Sequence, residues 1–284
     1  MNPNNRITLR VWGDFACFTR PEMKVERVSY PVMTPSAARG VLEAVYWEPQ
    51  MFYLIDAIRV VKRGRWISFR RNEVIKVISI DNVQTWMHDP AKTTPIQAGG
   101  GAEDGTQRNM LALQDVEYFI TAEIRTTPLA DRPEDTSAKY IGQVERRARQ
   151  GKCFHRPALG VREFAADFEW VESDPDAALA RRAAALGQTP GQYNEDLGLM
   201  LYDVFAPGER AHGFRWLRDD ELATTVPAGK PPGRGRSAAS EQARWKGRLI
   251  KPQAAFFHAE IKQSKLDCHP DRVKILAPVA TGGN

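Results

Sequence analysis

Lys139, Tyr140, Arg146 and Arg147 fall within one short stretch, residues 137–164 (SAKYIGQVERRARQGKCFHRPALGVREF), where cations are interleaved with a phenol. Read at helical spacing, Lys139, Gln143, Arg146 and Gln150 share one stripe, Tyr140, Arg147 and Gly151 share the next, and Ile141, Val144 and Ala148 form the apolar side. This pattern predicts a basic helix whose outward face carries the phenol. Such a face suits a polyanion, because ammonium and guanidinium groups neutralise phosphates. A solvated basic helix is the bland alternative. Metal chemistry has weaker support: Cys153-Phe154-His155 and Cys268-His269 lack the C-x-x-C or H-x-x-x-H spacing of a metal site, so no metal and no cofactor is expected. Gly99-Gly100-Gly101 with Gly105 lacks the lysine and helix start of a P-loop and reads as a flexible hairpin tip.

The whole chain fits a nucleic-acid partner without demanding one. It has 284 residues, 42% of them hydrophobic, enough for one large core or two modest ones. Forty basic residues against 35 acidic give a net charge of +5, gathered into residues 62–76, 139–162 and 230–251. Three cysteines, Cys17, Cys153 and Cys268, fit a reducing compartment rather than a disulfide framework. The first fifteen residues carry Arg6, Arg10 and Asp14, and the longest uncharged apolar run, residues 51–55, is too short to span a bilayer. A soluble, cytoplasmic protein with no membrane partner is expected.

The elements that must position these residues follow in chain order. Ile7, Leu9 and Val11 alternate with Thr8, Arg10 and Trp12 as in a half-buried strand, ended by Gly13-Asp14. Thr34-Pro35 reads as a helix cap and first helical residue. Ala38, Val41, Leu42 and Val45 make its apolar stripe, Arg39 and Glu43 pair across one turn, and Tyr46 sits at the last turn, where its ring could simply cap the core. Residues 51–61 predict a strand and 66–80 another extended stretch. Residues 81–109, with Pro90, Pro95 and the glycines, predict a long flexible insertion. Residues 110–124 resume as a strand, the basic helix follows with Ser137 as cap and Gly151 as left-handed stop, and 159–171 predict one more strand.

Strand, helix, strand, strand, helix, strand over residues 1–172 is the ferredoxin-like order, an α+β arrangement shared with RNA-recognition (RRM-like) modules. Arg63-Gly64-Arg65-Trp66-Ile67-Ser68-Phe69 echoes the aromatic strand of such modules only distantly. Residues 173–284 predict a smaller β-rich domain: an Ala- and Arg-rich helix from Asp174-Pro175 to Gly187, strands near 197–205, 256–257 and 273–276, and an exposed basic loop at 227–251.

A family resemblance rests on long ordered blocks. Val11-Trp12-Gly13-Asp14-Phe15-Ala16-Cys17-Phe18-Thr19-Arg20-Pro21, Ser29-Tyr30, Thr34-Pro35-Ser36-Ala37-Ala38-Arg39-Gly40 and Ala44-Val45-Tyr46-Trp47 resemble the amino-terminal motifs of the CRISPR-associated Cas family-five proteins of the type I-C subtype. Arg70-Arg71-Asn72-Glu73-Val74, Gln107-Arg108, Leu113-Gln114-Asp115-Val116-Glu117-Tyr118, the run from Arg146 to His155 and Leu159-Gly160-Val161-Arg162-Glu163-Phe164 continue it in register. The likeness covers most of residues 7–172 and, more weakly, 197–204.

The resemblance implies a RAMP protein that cuts the repeat hairpin of precursor CRISPR RNA without metal. It then stays on the 5′ handle beside family-seven backbone and family-eight large subunits, meeting target DNA only through that complex. The family's catalytic set is a tyrosine ending the first helix, then a lysine followed by histidine opening the second. Tyr46 and Lys139 match the first two, and Tyr140 takes the histidine's place. The implied RNA-binding set is Arg20, Lys24, Arg27, Arg70, Arg71, Arg108, Arg146, Arg147, His155 and Arg162.

Such scission needs a base for the 2′-OH, a cation for charge growing on the phosphorane and an acid for the leaving 5′ oxygen. Lys139 suits the second role. A tyrosine acts as base only if a cation such as Lys139 or Arg147 lowers its pKa from about 10; otherwise Tyr46 or Tyr140 orients the nucleotide, and His155 is the substitute base. Two alternatives are a non-catalytic subunit that holds the RNA handle and a DNA-binding or scaffolding module gripping duplex through the 227–251 loop.

Overall fold

The computed structural model describes residues 5–97, 99, 101–127, 129–172, 174–204 and 254–276. The protein is mixed α/β around a large, almost wholly antiparallel sheet. Strand β1 (Arg6–Ala16) buries Ile7, Leu9 and Val11 on one face, as their alternation predicts. It runs through Gly13-Asp14 rather than ending there, pairing as far as Ala16↔Leu113. Gly13 instead makes room: a Cβ there would lie 2.7 Å from Leu159 Cδ1 and 2.8 Å from the Ala165 carbonyl oxygen.

The long strand β5 (Gly105–Thr126) is the centre of the sheet. It pairs antiparallel with β1, β3 (Met51–Lys62) and β4 (Arg65–Val74), and parallel with the short β2 (Arg27–Val28). On one side its partner changes from β3, last paired at Lys62↔Glu117, to β4, first paired at Arg65↔Gln114. Asp115 stands at that change with φ 60°, a left-handed conformation aspartate tolerates, and accepts a 2.9 Å bond from Lys62 Nζ.

Strand order is β10-β8-β9-β3-β5-β1-β6, with β7 against β8. Here β6 is Asp167–Trp170, β7 Glu195–Asp203, β8 Ala255–Lys262, β9 Lys265–Asp267 and β10 Ile275–Leu276. The carboxy-terminal strands therefore continue the sheet through β9–β3 pairing, Ala57↔Asp267 to Arg59↔Lys265. The basic loop at 227–251 lies outside the described residues.

Helix α1 (Pro35–Val45) starts as its sequence predicts, with Thr34 Oγ1 accepting from Ala37 N–H at 3.1 Å, and buries Ala38, Val41, Leu42 and Val45. Arg39 pairs with Glu43 and also clamps Asp203 of β7 at 3.0 and 3.1 Å. Helix α3 (Ser137–Arg149) packs beside it on the same face, in one core with Val60, Tyr118 and Ile120. Its cap is Thr136 rather than Ser137: the Thr136 hydroxyl accepts from Lys139 N–H at 3.3 Å. Gly151 ends it at φ 63°, and Lys152 N–H returns to the Arg147 carbonyl. On the opposite face, α4 (Pro175–Ala185) lays Ala178 and Leu179 over Val61 and Phe119.

Two expected stretches differ. The span 81–109 is not without structure: α2 (Ile80–His88), capped by Ser79, follows the end of β4, and β5 begins at Gly105 opposite Val74. No residue of α2 is buried: Ile80, Val83 and Met87 recur at helical spacing but stay exposed, and the prolines and glycines that follow hid this short helix within the stretch. The expected strand 159–171 is shortened to Asp167–Trp170. Residues 157–166 instead loop onto the end of β1, where Cys17 N–H donates to the Leu159 carbonyl at 2.9 Å. No helix among the described residues is long and apolar enough to cross a membrane.

That loop depends on Gly160, whose φ is +91° and whose added Cβ would lie 2.0 Å from the Cys17 carbonyl oxygen. Gly160→Ala is expected to destabilise the fold by more than about 2 kcal/mol, read as a lower urea midpoint at unchanged slope. A midpoint equal to wild type would show that the loop is not seated on β1.

Candidate active site

The end of α1 and the start of α3 meet. Tyr46 leaves the helix in extended conformation (φ −159°, ψ 134°) after its N–H closes the last turn on the Leu42 carbonyl at 3.0 Å. Its carbonyl accepts from the buried Tyr53 hydroxyl at 2.7 Å, its own hydroxyl donates to Glu48, and the Arg147 guanidinium stands 5.2 Å from its ring centre. At the start of α3, Asp135 Oδ1 accepts from Lys139 Nζ at 2.9 Å and from the Tyr140 hydroxyl at 2.8 Å. The Glu48 carboxylate acts electrostatically on both Lys139 and Tyr140, and the two phenols sense each other. Tyr46, Lys139, Tyr140 and Arg147 thus share one patch with two carboxylates.

Tyr140 does not lie on the outward face. It is fully buried, and the inward stripe is Tyr140, Val144 and Ala148, with Ile141 only half-buried. Residues 140 and 141 differ by 100° around the helix, so the pattern allows either as the first core position, and the larger ring takes it. Only its hydroxyl reaches the polar patch.

Neither phenol is prepared to act as base. Burial raises Tyr46, the bond to Glu48 raises it further, and the weaker opposing influence of Arg147 and Arg146 does not overcome them. Tyr140 is raised by burial and then by its bond to Asp135. The condition for a tyrosine base, a cation that lowers its pKa, is not met, because burial first and a bonded carboxylate second outweigh the neighbouring cations. Lys139 is raised chiefly by Asp135, and Asp135 is lowered by Lys139 and then Tyr140.

His155 enters by the backbone. Phe154 N–H and His155 N–H both donate to the Ala44 carbonyl, at 2.8 and 3.1 Å, pinning the turn after α3 to the last turn of α1. Ala44 is two residues from Tyr46; the rings of Phe154 and His155 are exposed and in edge contact at 4.5 Å. Arg146 is exposed and bonds Gln143 at 2.6 Å.

The other predicted RNA-binding residues are not gathered at the patch. Arg20 stacks over Tyr30 at 4.7 Å and Lys24 is exposed just after it, while Arg27 lies on β2. Arg71 and Arg108 oppose each other across the β4–β5 hairpin, bound to Glu73 at 2.5 Å and Glu26 at 3.5 Å, and Arg70 points to the other side. Arg162 is exposed in the 157–166 loop. Reasoning from sequence overlooked Asp135 and Glu48; the signals were a carboxylate one turn before Lys139 and another two residues after Tyr46. Cys268 is buried with its thiol on the Leu266 carbonyl, and His269 Nε2 is 3.1 Å from Glu123, so this thiol and imidazole serve separate internal contacts.

Residues 6–250 match the Cas_Cas5d family, described as CRISPR-associated protein (Cas_Cas5). A protein of Mannheimia succiniciproducens named CRISPR pre-crRNA endoribonuclease Cas5d is 43% identical over 215 residues, covering 74% of this chain and 90% of that one. One of the same name from Thermus thermophilus is 35% identical, covering 98% and 97%. A crystal structure described as a CRISPR-associated protein shares the fold at a TM-score of 0.52 and 16% identity, covering 92% of this chain and 90% of that one. The chain belongs to the Cas5d family of CRISPR-associated proteins.

The Asp135–Lys139 pair sets a pH window. A lowered carboxyl stabilises the fold above its ordinary value near 4 and loses that contribution as pH falls through its folded pKa. A raised ammonium stabilises it below about 10.4 and loses that contribution as pH rises through its folded pKa. The urea-midpoint difference between wild type and Asp135→Asn is therefore expected to be flat between about pH 5 and 9 and to shrink on either side. A difference that varies across that plateau would assign the effect to another group.

Proposed function

We propose that this chain is an endoribonuclease that cuts the repeat hairpin of precursor CRISPR RNA and then holds the 5′ handle of the mature guide. The observation that carries the reading is the convergence of Tyr46, Lys139 and the Tyr140 hydroxyl from two helix ends distant in sequence. The names of the Mannheimia and Thermus relatives support it. The order β3-β5-β1-β6, with α1 and α3 on one face, supports a ferredoxin-like RAMP core in residues 1–172, with 173–284 as the smaller β-rich domain. By the same reading its partners are family-seven and family-eight subunits in the cytoplasm, and it meets target DNA only through them.

The chemistry follows from the side chains. A base takes the 2′-OH proton, the 2′ oxygen attacks phosphorus, and the bond from phosphorus to the 5′ oxygen breaks, leaving a 2′,3′-cyclic phosphate and a 5′-OH. Lys139 exchanges Asp135 for the scissile phosphate and stabilises its added charge. Tyr46, which keeps its proton, gives it to the leaving 5′ oxygen. His155, whose backbone N–H bonds the Ala44 carbonyl two residues before Tyr46, takes the proton of the 2′-OH. Tyr140 positions Lys139 through Asp135 and does not touch the substrate.

Single-turnover cleavage of the repeat RNA in EDTA tests these roles. Lys139→Ala is expected to lose about 10²–10³ in rate, and Tyr46→Phe and His155→Ala about 10²-fold or more each. Tyr140→Phe is expected to lose less than about tenfold. Wild type that binds the hairpin without cutting it would leave the chain as a non-catalytic subunit on the RNA handle.

A further inference from the structure

An open groove of about 460 Å³ runs along the outer side of α1, between that helix, the segment after β1 and the loop after α3. Arg27 and Arg156 flank it, and no carboxylate is among the described residues that line it. The larger cleft on the opposite face differs: there Arg6, Arg59 and Arg272 alternate with Asp56 and Asp176 and are neutralised by them. Arg156 does bond Asp167 at 3.0 Å, but both side chains are about two-thirds exposed, so that pair yields readily to a phosphate.

The floor of the groove is helix surface almost without side chains: Ser36, Gly40 and Ala44. Glycine in a helix interior is less favourable than alanine, and packing does not call for it at position 40, since an added Cβ would meet nothing within 4 Å. An exposed backbone stretch between two guanidiniums lets a ligand approach the helix closely. At its far end is Ala44, whose carbonyl fixes Phe154 and His155, and the Phe154 ring is 74% exposed there. An exposed aromatic ring on backbone fixed at the junction is a stacking surface for a base.

We infer that this groove is a subsite for the single-stranded ribonucleotides adjoining the scissile bond, their phosphates between Arg27 and Arg156 and one base against Phe154. The inference rests on the ribonuclease reading and assigns the path by which RNA reaches Tyr46 and Lys139.

Binding of two uncleavable repeat RNAs, each with a 2′-deoxy nucleotide at the attacking position, tests it: one a bare hairpin, the other with its single-stranded flanks. Gly40→Trp fills the groove and is expected to bind the flanked RNA about tenfold or more weakly. It should bind the bare hairpin as wild type does, with an unchanged unfolding midpoint. Gly40→Ala should match wild type on both. Arg27→Gln and Arg156→Gln should each reduce the slope of log affinity against log salt by about 0.7 for the flanked RNA. Unchanged affinity in Gly40→Trp and in a second filling variant, Gly40→Leu, would overturn the subsite, as would equal weakening of both RNAs; a groove that seats a protein segment gives the first outcome. If wild type cuts RNA while Gly40→Trp binds normally, only the groove fails. If wild type does not cut but Gly40→Trp still loses the flanked RNA, the nuclease reading fails and the groove stands.

Discussion

The register of β5 is the constraint on which the site depends. This strand pairs with β1, β2, β3 and β4, so its pleat decides which residues of three long neighbours face the helices. Tyr118 and Ile120 point to α1 and α3, while Glu117, Phe119 and Thr121 point the other way. A slip of one residue would exchange the two sets and put charge under the helices. With the register fixed, α1 and α3 lie side by side on one apolar surface, and Tyr46 and Tyr140 come within electrostatic reach although 94 residues separate them in the sequence.

The two faces of the sheet use charge differently. Opposite the helices, Glu117 is enclosed between Arg10 and Arg182, both at 2.6 Å; burial alone would raise its carboxyl, but the bonds from Arg182 and Arg10 hold it below its ordinary value. Arg59 reaches Asp176 at 2.6 Å and Thr121 at 3.1 Å beneath α4. RNA-recognition modules read single strands on this kind of open sheet face. Here α4 and internal ion pairs occupy it, whereas on the helix side Arg27 and Arg156 flank a groove lined by no carboxylate among the described residues.

Legibility followed how local the determining physics is. The start of α1 was readable because Thr34-Pro35 is a local device, and the same holds for Gly151 and Asp174. The end of β1 was misread because Gly13 answers a long-range contact with Leu159 and Ala165, which the neighbouring residues do not encode. Likewise the shortening of the last predicted strand is set by docking of residues 157–166 on Cys17. In the site, Tyr46 and Lys139 were found from family motifs, whereas the burial of Tyr140 turns on a choice between two adjacent helical positions that only packing resolves.

The free site is electrically satisfied, and that bears on how it works. Lys139 is held by Asp135, Tyr140 donates to the same oxygen, and Tyr46 donates to Glu48. On the proposed reading, a phosphodiester entering the patch takes the place of Asp135 at the ammonium. This exchange of one anion for another leaves Lys139 charged throughout and requires little rearrangement as charge builds on phosphorus. The Glu48 carboxylate, close to both phenols, opposes their ionisation, so they remain proton donors while an anion is bound nearby. On the proposed reading the 2′-OH proton goes to a group outside this pair of phenols, and the loop residue whose backbone is tied to the end of α1 through Ala44 is His155. On the same reading the base then sits on the loop after α3, while the cation and the acid stay where the two helix ends put them.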